Sequence, residues 1–299
     1  MKVKKLLSLL VFAMFCLAIE GCTENELTVC DGVCDGVWLK MGDGSIVANS
    51  DINFYDISTH MIYLNNKVPF LQHNDRGAIS VYVDDDEIYK CSLYPLYSSL
   101  SPNGAFILTP HMTNDIIRIN FSQALYTDYE PTITDPRSDE RIIAALKKNN
   151  QYHEGLNCTI QSVDVANGKV ILNFELYNPD VFNYYYLDPD KMGIGLFHYF
   201  TNGLAFWNNQ YLKNYKHQET VIYPEAGISW KKEWLTLIES GERKNISITY
   251  NQFDNIPSGQ YEMHFSFPGL KYIAQKDLVL ENGRIWLGSI NVEKEITIF

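Results

Sequence analysis

Basic residues are in short supply: the 299-residue chain carries 24 Lys and Arg against 36 Asp and Glu, a formal net charge of −12. Such a surface repels polyanions. That argues against nucleic acid as a partner and against attachment that depends on anionic lipid headgroups. Long apolar runs are also lacking after the first two dozen residues. Nothing there approaches the roughly 18 uninterrupted apolar residues of a spanning helix, so no second membrane segment is expected. The familiar catalytic signatures are missing as well: no G-x-S-x-G elbow, no G-x-x-x-x-G-K-[ST] phosphate loop, no dinucleotide fingerprint and no H-E-x-x-H pair. No catalytic set, metal or cofactor is therefore expected. A glycosidase asks only for two facing carboxylates, which keeps a hydrolase as the third reading.

Cysteine is sparse, with Cys16, Cys22, Cys30, Cys34, Cys91 and Cys158. Structural zinc sites favour two close pairs, and only Cys30 with Cys34 is close, as C-x3-C. In an oxidising compartment these two can form a local disulfide, or they can join Cys91 and Cys158 in two longer bridges. Three pairings stay open.

What is present begins with MKVKKLLSLLVFAMFCLAIEGCTENE. Lys2, Lys4 and Lys5 precede an apolar run, Leu6 to Ala18, that is too short for a permanent span, and Ile19, Gly21 and Cys22 follow. This arrangement resembles a bacterial lipoprotein signal, with Glu20 departing from the usual small residue. The resemblance implies removal of residues 1–21, acylation of Cys22, and membrane attachment through that lipid. Thr23, Glu24, Asn25 and Glu26 resemble the sequences that send Bacteroidota-type lipoproteins to the exterior of the outer membrane. The alternative is an ordinary secretory signal that leaves a soluble periplasmic protein. Residues 22–36 then read as an acidic, turn-rich tether.

The remainder predicts a mainly β fold of two tandem antiparallel β-sandwich domains, 37–150 and 155–299, with one short helix between them or packed on them. Strands are expected in the first domain at Ile52–Ile57, Met61–Leu64, Ala78–Val83, Glu87–Tyr94, Ala105–Leu108 and Ile116–Phe121, separated by polar turns. Ile79, Val81 and Val83 share one face in the clearest alternation. Asp84-Asp85-Asp86-Glu87 reads as a solvated hairpin tip. The helix spans 136–148, with Asp135 as cap, Pro136 in its first turn and Ile142, Ile143 and Leu146 on one face. In the second domain, further strands are expected at 157–163, 169–176, 184–187, 195–200, 219–223, 233–237, 244–250, 260–267, 276–280 and 285–290. Leu235 to Tyr250 and Ile256-Pro257-Ser258-Gly259-Gln260-Tyr261 resemble Ig-like sandwich domains in a general way. Asn282-Gly283 suggests a type I′ hairpin.

The densest unusual composition runs from Phe182 to Tyr215, where eleven Tyr, Phe and Trp residues stand among Asn and Gln. Flat aromatic faces stack on sugar rings and amides serve hydroxyls, so Trp207, Asn208, Asn209, Tyr211 and Tyr215 form the candidate ligand site, with a glycan as ligand. The same aromatics also suit core positions, which large rings fill more often. His153 with Glu154, His198, and Asp188 with Asp190 are lesser candidates. The chain thus reads as a non-enzymatic, surface-tethered binding protein. The alternative is a structural or adhesive subunit, or an anchor, of a cell-surface protein assembly.

Overall fold

A computed structural model of the chain describes residues 35–65, 77–95, 98–99, 102–109, 115–122, 133–166, 168–201, 203–228, 230–270 and 278–299. Cys22, Cys30 and Cys34 lie outside the described residues, as does most of the expected tether.

The described residues of the first half build β1 (Val37–Met41), β2 (Ile46–Val47), β3 (Ile52–Asp56), β4 (Met61–Leu64), β5 (Gly77–Val83), β6 (Asp86–Tyr94), β7 (Gly104–Leu108), β8 (Ile116–Arg118) and β9 (Asn120–Ser122). In β5 the period of two is realised, since Ile79, Val81 and Val83 are buried while Tyr82 turns outward and stacks on Trp38 at 4.1 Å. Asp84 and Asp85 form the tip between β5 and β6, where Val83 pairs with Asp86. This tip is more than solvated charge. Asp84 adopts a left-handed conformation, its carboxylate accepts the Gly36 amide at 2.7 Å and its carbonyl accepts the Trp38 indole N–H at 2.7 Å.

Helix α1 (Glu140–Lys148) forms as expected, its start fixed by Asp139, whose side chain accepts the Arg141 amide at 2.9 Å. Asp135 caps a separate 3-10 turn, Pro136–Ser138, just before it. The buried face is Ile142, Ala145 and Leu146; Ile143 sits at its edge. These side chains join the core formed by β1, β3, β5 and β6, where truncating Leu146 to Ala would cost about 2–5 kcal/mol.

The second half contains β10 (Tyr152–His153), β11 (Asn157–Ala166), β12 (Lys169–Tyr177), β13 (Tyr184–Leu187), helices α2 (Pro189–Met192) and α3 (Ile194–Phe200), then β14 (Leu204–Asn208), β15 (Lys213–Lys216), β16 (Leu235–Ile238), β17 (Arg243–Tyr250), β18 (Gly259–Phe267), β19 (Val279–Leu280), β20 (Gly283–Ile285) and β21 (Ile290–Ile298). Three expectations fail here. Residues 195–200 are helical because the Asp188-Pro189 cap and the left-handed Gly193 launch two successive turns that bury Phe197 and Phe200 at i and i+3. Residues 219–223 form no strand; they lie along α3, with the Ile222 amide bonded to the Gly195 carbonyl at 2.9 Å. Residues 286–289 interrupt the last expected strand and separate β20 from β21. The β19–β20 hairpin exists, but Glu281 and Asn282 at its tip have no positive φ, so it is not type I′.

Among the described residues the strands assemble into sheets ordered β2-β1-β5-β6-β7-β9, β10-β3-β4-β8, β11-β12-β17, β16-β13-β20-β19 and β15-β14-β18-β21. Pairing is mostly antiparallel, as expected, but β6–β7, β3–β10 and β13–β20 run parallel. The last two join segments nearly 100 residues apart, so no hairpin dictates their direction. The second sheet is the middle layer. Ile62 and Leu64 of β4 face the α1 core, whereas Met61 and Tyr63 enter the larger core of the second half, so all four residues of the strand are buried. A strand buried on both faces reads as a continuous apolar run, and Met61-Ile62-Tyr63-Leu64 is one. In the larger core, Phe174 of β12 meets Phe265 and Phe267 of β18 at ring distances of 5.2 and 5.5 Å, which brings the inner faces of the third and fifth sheets together.

Candidate functional site

The fifth sheet carries the candidate site on its outer face. Leu204 and Phe206 of β14 point into the core, so Trp207 is turned outward by the strand period, and β14 passes into β15 through residues 209–212. That hairpin loop contains Asn209, Gln210 and Tyr211, all exposed, with Tyr211 67% accessible. Its shape is held from within. Asn208 Oδ1 accepts the Tyr211 amide at 2.9 Å and its Nδ2 donates to the Gln260 carbonyl at 3.2 Å, while Leu212 takes the left-handed conformation that closes the turn.

The loop overhangs a groove of about 720 Å3, walled by Trp207 to Tyr211 on one side, Ser258 to Glu262 at its base and Glu295 to Thr297 opposite. The ladder register explains the grouping: Trp207 pairs with Glu262, and Glu262 with Glu295, so one row across three strands presents an indole and two carboxylates. One row further, Gln260 pairs with Thr297. The Trp207 indole N–H donates to Asn209 Oδ1 at 2.6 Å, which holds the ring as an edge of the groove.

Two of the expected site residues take other roles. Tyr215 is only 4% exposed and packs edge-on against Tyr261 at 5.7 Å, because it falls on the inward phase of β15 opposite the buried Phe206. Asn208 was expected in the ligand site, yet it is buried, and both ends of its amide are consumed in shaping the loop. Trp207, Asn209 and Tyr211 do line the groove, together with Gln210. The β18 and β21 residues that complete it come from 50 to 90 positions away, and only strand pairing unites them with the loop.

Below the groove, Tyr261 donates its hydroxyl to the Pro257 carbonyl at 2.8 Å, fixing the corner at which β18 begins. Burial pushes its phenol above the usual range, so it stays neutral. Further along the same outer face, Glu262 and His264 stand two apart on β18, with Glu293 of β21 opposite His264.

The lesser candidates lie elsewhere. His153 hydrogen-bonds Asp180 in a buried cluster. His198 is buried and stacks on His217 at 3.6 Å. Asp188 accepts the Asp190 amide at 3.0 Å and the Thr236 hydroxyl, so it caps α2. Cys91 is buried and Cys158 half-buried, both as free thiols, and burial pushes each up to about 12. Among the described residues no helix is long and apolar enough to cross a membrane. No protein-family model matches the chain, and no curated protein matches it in sequence.

Proposed function

We propose that the chain is a non-enzymatic surface lipoprotein, tethered to the exterior of the outer membrane through acylated Cys22, that binds a glycan in the groove above β14, β18 and β21. Its body is read as two sandwich modules, 37–150 and 155–299, sharing the middle layer of β3, β4 and β8. The observation that carries the binding reading is the convergence of Trp207, Asn209, Gln210 and Tyr211 with Gln260, Glu262 and Thr297 along one groove. An indole held at an edge, amides of both polarities and a carboxylate suit the stacked faces and hydroxyls of sugars. Screening of the wild type on a polysaccharide array, followed by titration of a positive, tests it. Replacing Trp207 and Tyr211 with Ala should weaken binding at least tenfold, about 1.4 kcal/mol, and an array on which the wild type binds nothing would sink the reading. The tether is tested separately by labelled palmitate, which should enter the wild type and not Cys22→Ser.

A second reading is a subunit or anchor of a cell-surface assembly. It is favoured by another groove, about 430 Å3, that runs between β11 and β21, the outermost strands of their sheets. Such edges can take up a partner's strand by main-chain pairing. Copurification of a stoichiometric protein partner, lost when Gly or Pro is placed in β11, would favour this reading over the glycan.

A further inference from the structure

The outer face of the β18–β21 ladder carries a cluster with the donor chemistry of a metal site. Glu262 and His264 are neighbours on one face of β18, and Glu293 stands directly opposite His264. One donor atom from each of the three can be chosen so that all lie within 4.8 Å of one another. Glu262 Oε2 is 3.7 Å from His264 Nε2, and Glu293 Oε1 is 3.5 Å from His264 Nδ1. These gaps are longer than the roughly 2.7–3.2 Å of a settled hydrogen bond. They are made to opposite ring nitrogens, of which one ion takes only one. The shared site therefore rests on the 4.8 Å grouping of one donor from each residue, which small side-chain rotations would close to the separation of about 3.4 Å expected for two donors on one tetrahedral ion with bonds near 2.1 Å.

The surroundings favour a cation. Glu295 faces Glu262 across the ladder, so three carboxylates and one imidazole share a small area, and carboxylates directly opposite each other repel. Lys294, between Glu293 and Glu295 in sequence, falls on the opposite face of the strand, where it lines the groove beside β11. The backbone beneath is stiff: the β18–β21 pairing continues without a register break from Gly259 with Ile298 to Phe267 with Ile290. The backbone positions of the three ligands are therefore set before any ion arrives, and only half-buried or exposed side chains must turn.

The geometry points to a divalent transition-metal site, of the zinc or cobalt type, ligated by Glu262, His264 and Glu293. An imidazole with two carboxylates suits these borderline ions, whereas calcium and magnesium prefer oxygen alone. Three protein donors at a partly exposed site leave a coordination position for water or for a donor from outside. The site does not depend on the glycan reading, since the metal can be tested with no sugar present.

The test uses the purified mature chain without a polyhistidine tag. Titration with zinc chloride should show one saturable site, and cobalt should produce a visible absorption band that zinc abolishes. His264→Ala should weaken zinc binding at least tenfold, and Glu262→Gln or Glu293→Gln at least threefold, with the apo melting temperatures unchanged. Calcium at the same concentrations should give no comparable heat. Zinc binding by His264→Ala equal to that of the wild type would overturn the assignment, as would a wild type that shows neither zinc heat nor a cobalt band.

Discussion

His153 Nδ1 stands 2.7 Å from Asp180 Oδ1, with the side chains only 8% and 2% exposed. The pair ties β10, which is added to the first half's middle sheet, to the loop between β12 and β13. Asp180 also accepts the Gly155, Val181 and Phe182 amides and the Tyr184 hydroxyl. Burial pushes its carboxyl up, but the bonds from His153, the Gly155 amide and Tyr184 outweigh this and hold it below the usual range. Phe182 stacks on the His153 ring at 4.0 Å, and the Arg284 guanidinium of β20 lies over Phe54 at 4.6 Å and Phe182 at 5.4 Å. Asp180→Ala would leave several buried donors without an acceptor at once. A loss of about 3–5 kcal/mol is expected in urea unfolding, against a smaller loss for Asp180→Asn, which keeps one acceptor oxygen. A loss under 1 kcal/mol for Asp180→Ala would mean that the cluster does not join the halves.

Two other buried groups push the acid response in opposite directions. Burial, aided by His217, lowers His198 from 6.5 to about 3. Between those values the unfolded chain takes a proton that the folded one refuses, so stability falls as pH falls, by up to about 1.4 kcal/mol per pH unit. Burial raises Asp56 from 3.8 to about 6, against hydrogen bonds from Ser58. There the folded chain holds the extra proton, so its contribution is lost as pH rises through that window. Asp56→Asn should therefore steepen the loss of stability between pH 6 and pH 4, and His198→Phe should flatten or reverse it. Urea midpoints at four pH values decide this, and equal slopes in the two variants and the wild type would refute the assignment.

Tyr211 and Tyr215 are four residues apart and face opposite environments. Tyr211→Ala, at a loop position 67% exposed, should change stability by no more than about 0.5 kcal/mol. Tyr215→Ala opens the core beside Phe206 and Tyr261 and should cost about 3–5 kcal/mol. Thermal melts of the two variants separate a residue of the groove from one of the core. A Tyr215→Ala protein as stable as Tyr211→Ala would restore Tyr215 to the surface.

Most strands of the first half from β3 onward were legible because their apolar residues alternate or run continuously between strong turn signals, and α1 because Asp, Pro and paired Lys mark its ends, whereas β1 and β2 were not expected and the single strand expected at 116–121 is split into β8 and β9. What escaped depends on distant context. Gly195-Leu196-Phe197-His198-Tyr199-Phe200 is rich in aromatics and reads locally as a strand; the cap at Asp188 and the turn at Gly193, just outside it, make it helical. The groove was half legible. The hairpin loop announces itself through Trp207, Asn209 and Tyr211, but Gln260, Glu262, Glu295 and Thr297 look like ordinary polar faces of strands until pairing sets them beside it. Asn208 and Tyr215 were misplaced for a related reason: composition marks a segment, whereas the phase of a strand decides which of its residues point out.

Gly195 tests whether local propensity or tertiary contact governs α3. Inside a helix, Ala is favoured over Gly by about 1 kcal/mol. A Cβ here, however, would lie 2.8 Å from the Thr220 carbonyl oxygen and 2.9 Å from two side-chain carbons of Ile222. The side chain can turn, but the backbone carbonyl belongs to a segment that the Ile222 amide pins to the Gly195 carbonyl. The clash should win, with Gly195→Ala destabilising by about 1–2 kcal/mol net. Hydrogen exchange locates the effect, because displacing residues 219–223 breaks that bond and should speed exchange at the Ile222 amide. Adding Ile222→Ala removes only the movable part of the clash, so Thr220 should keep the double variant less stable than Ile222→Ala alone. A Gly195→Ala protein more stable than the wild type, with Ile222 still protected, would show that the segment yields and that propensity prevails.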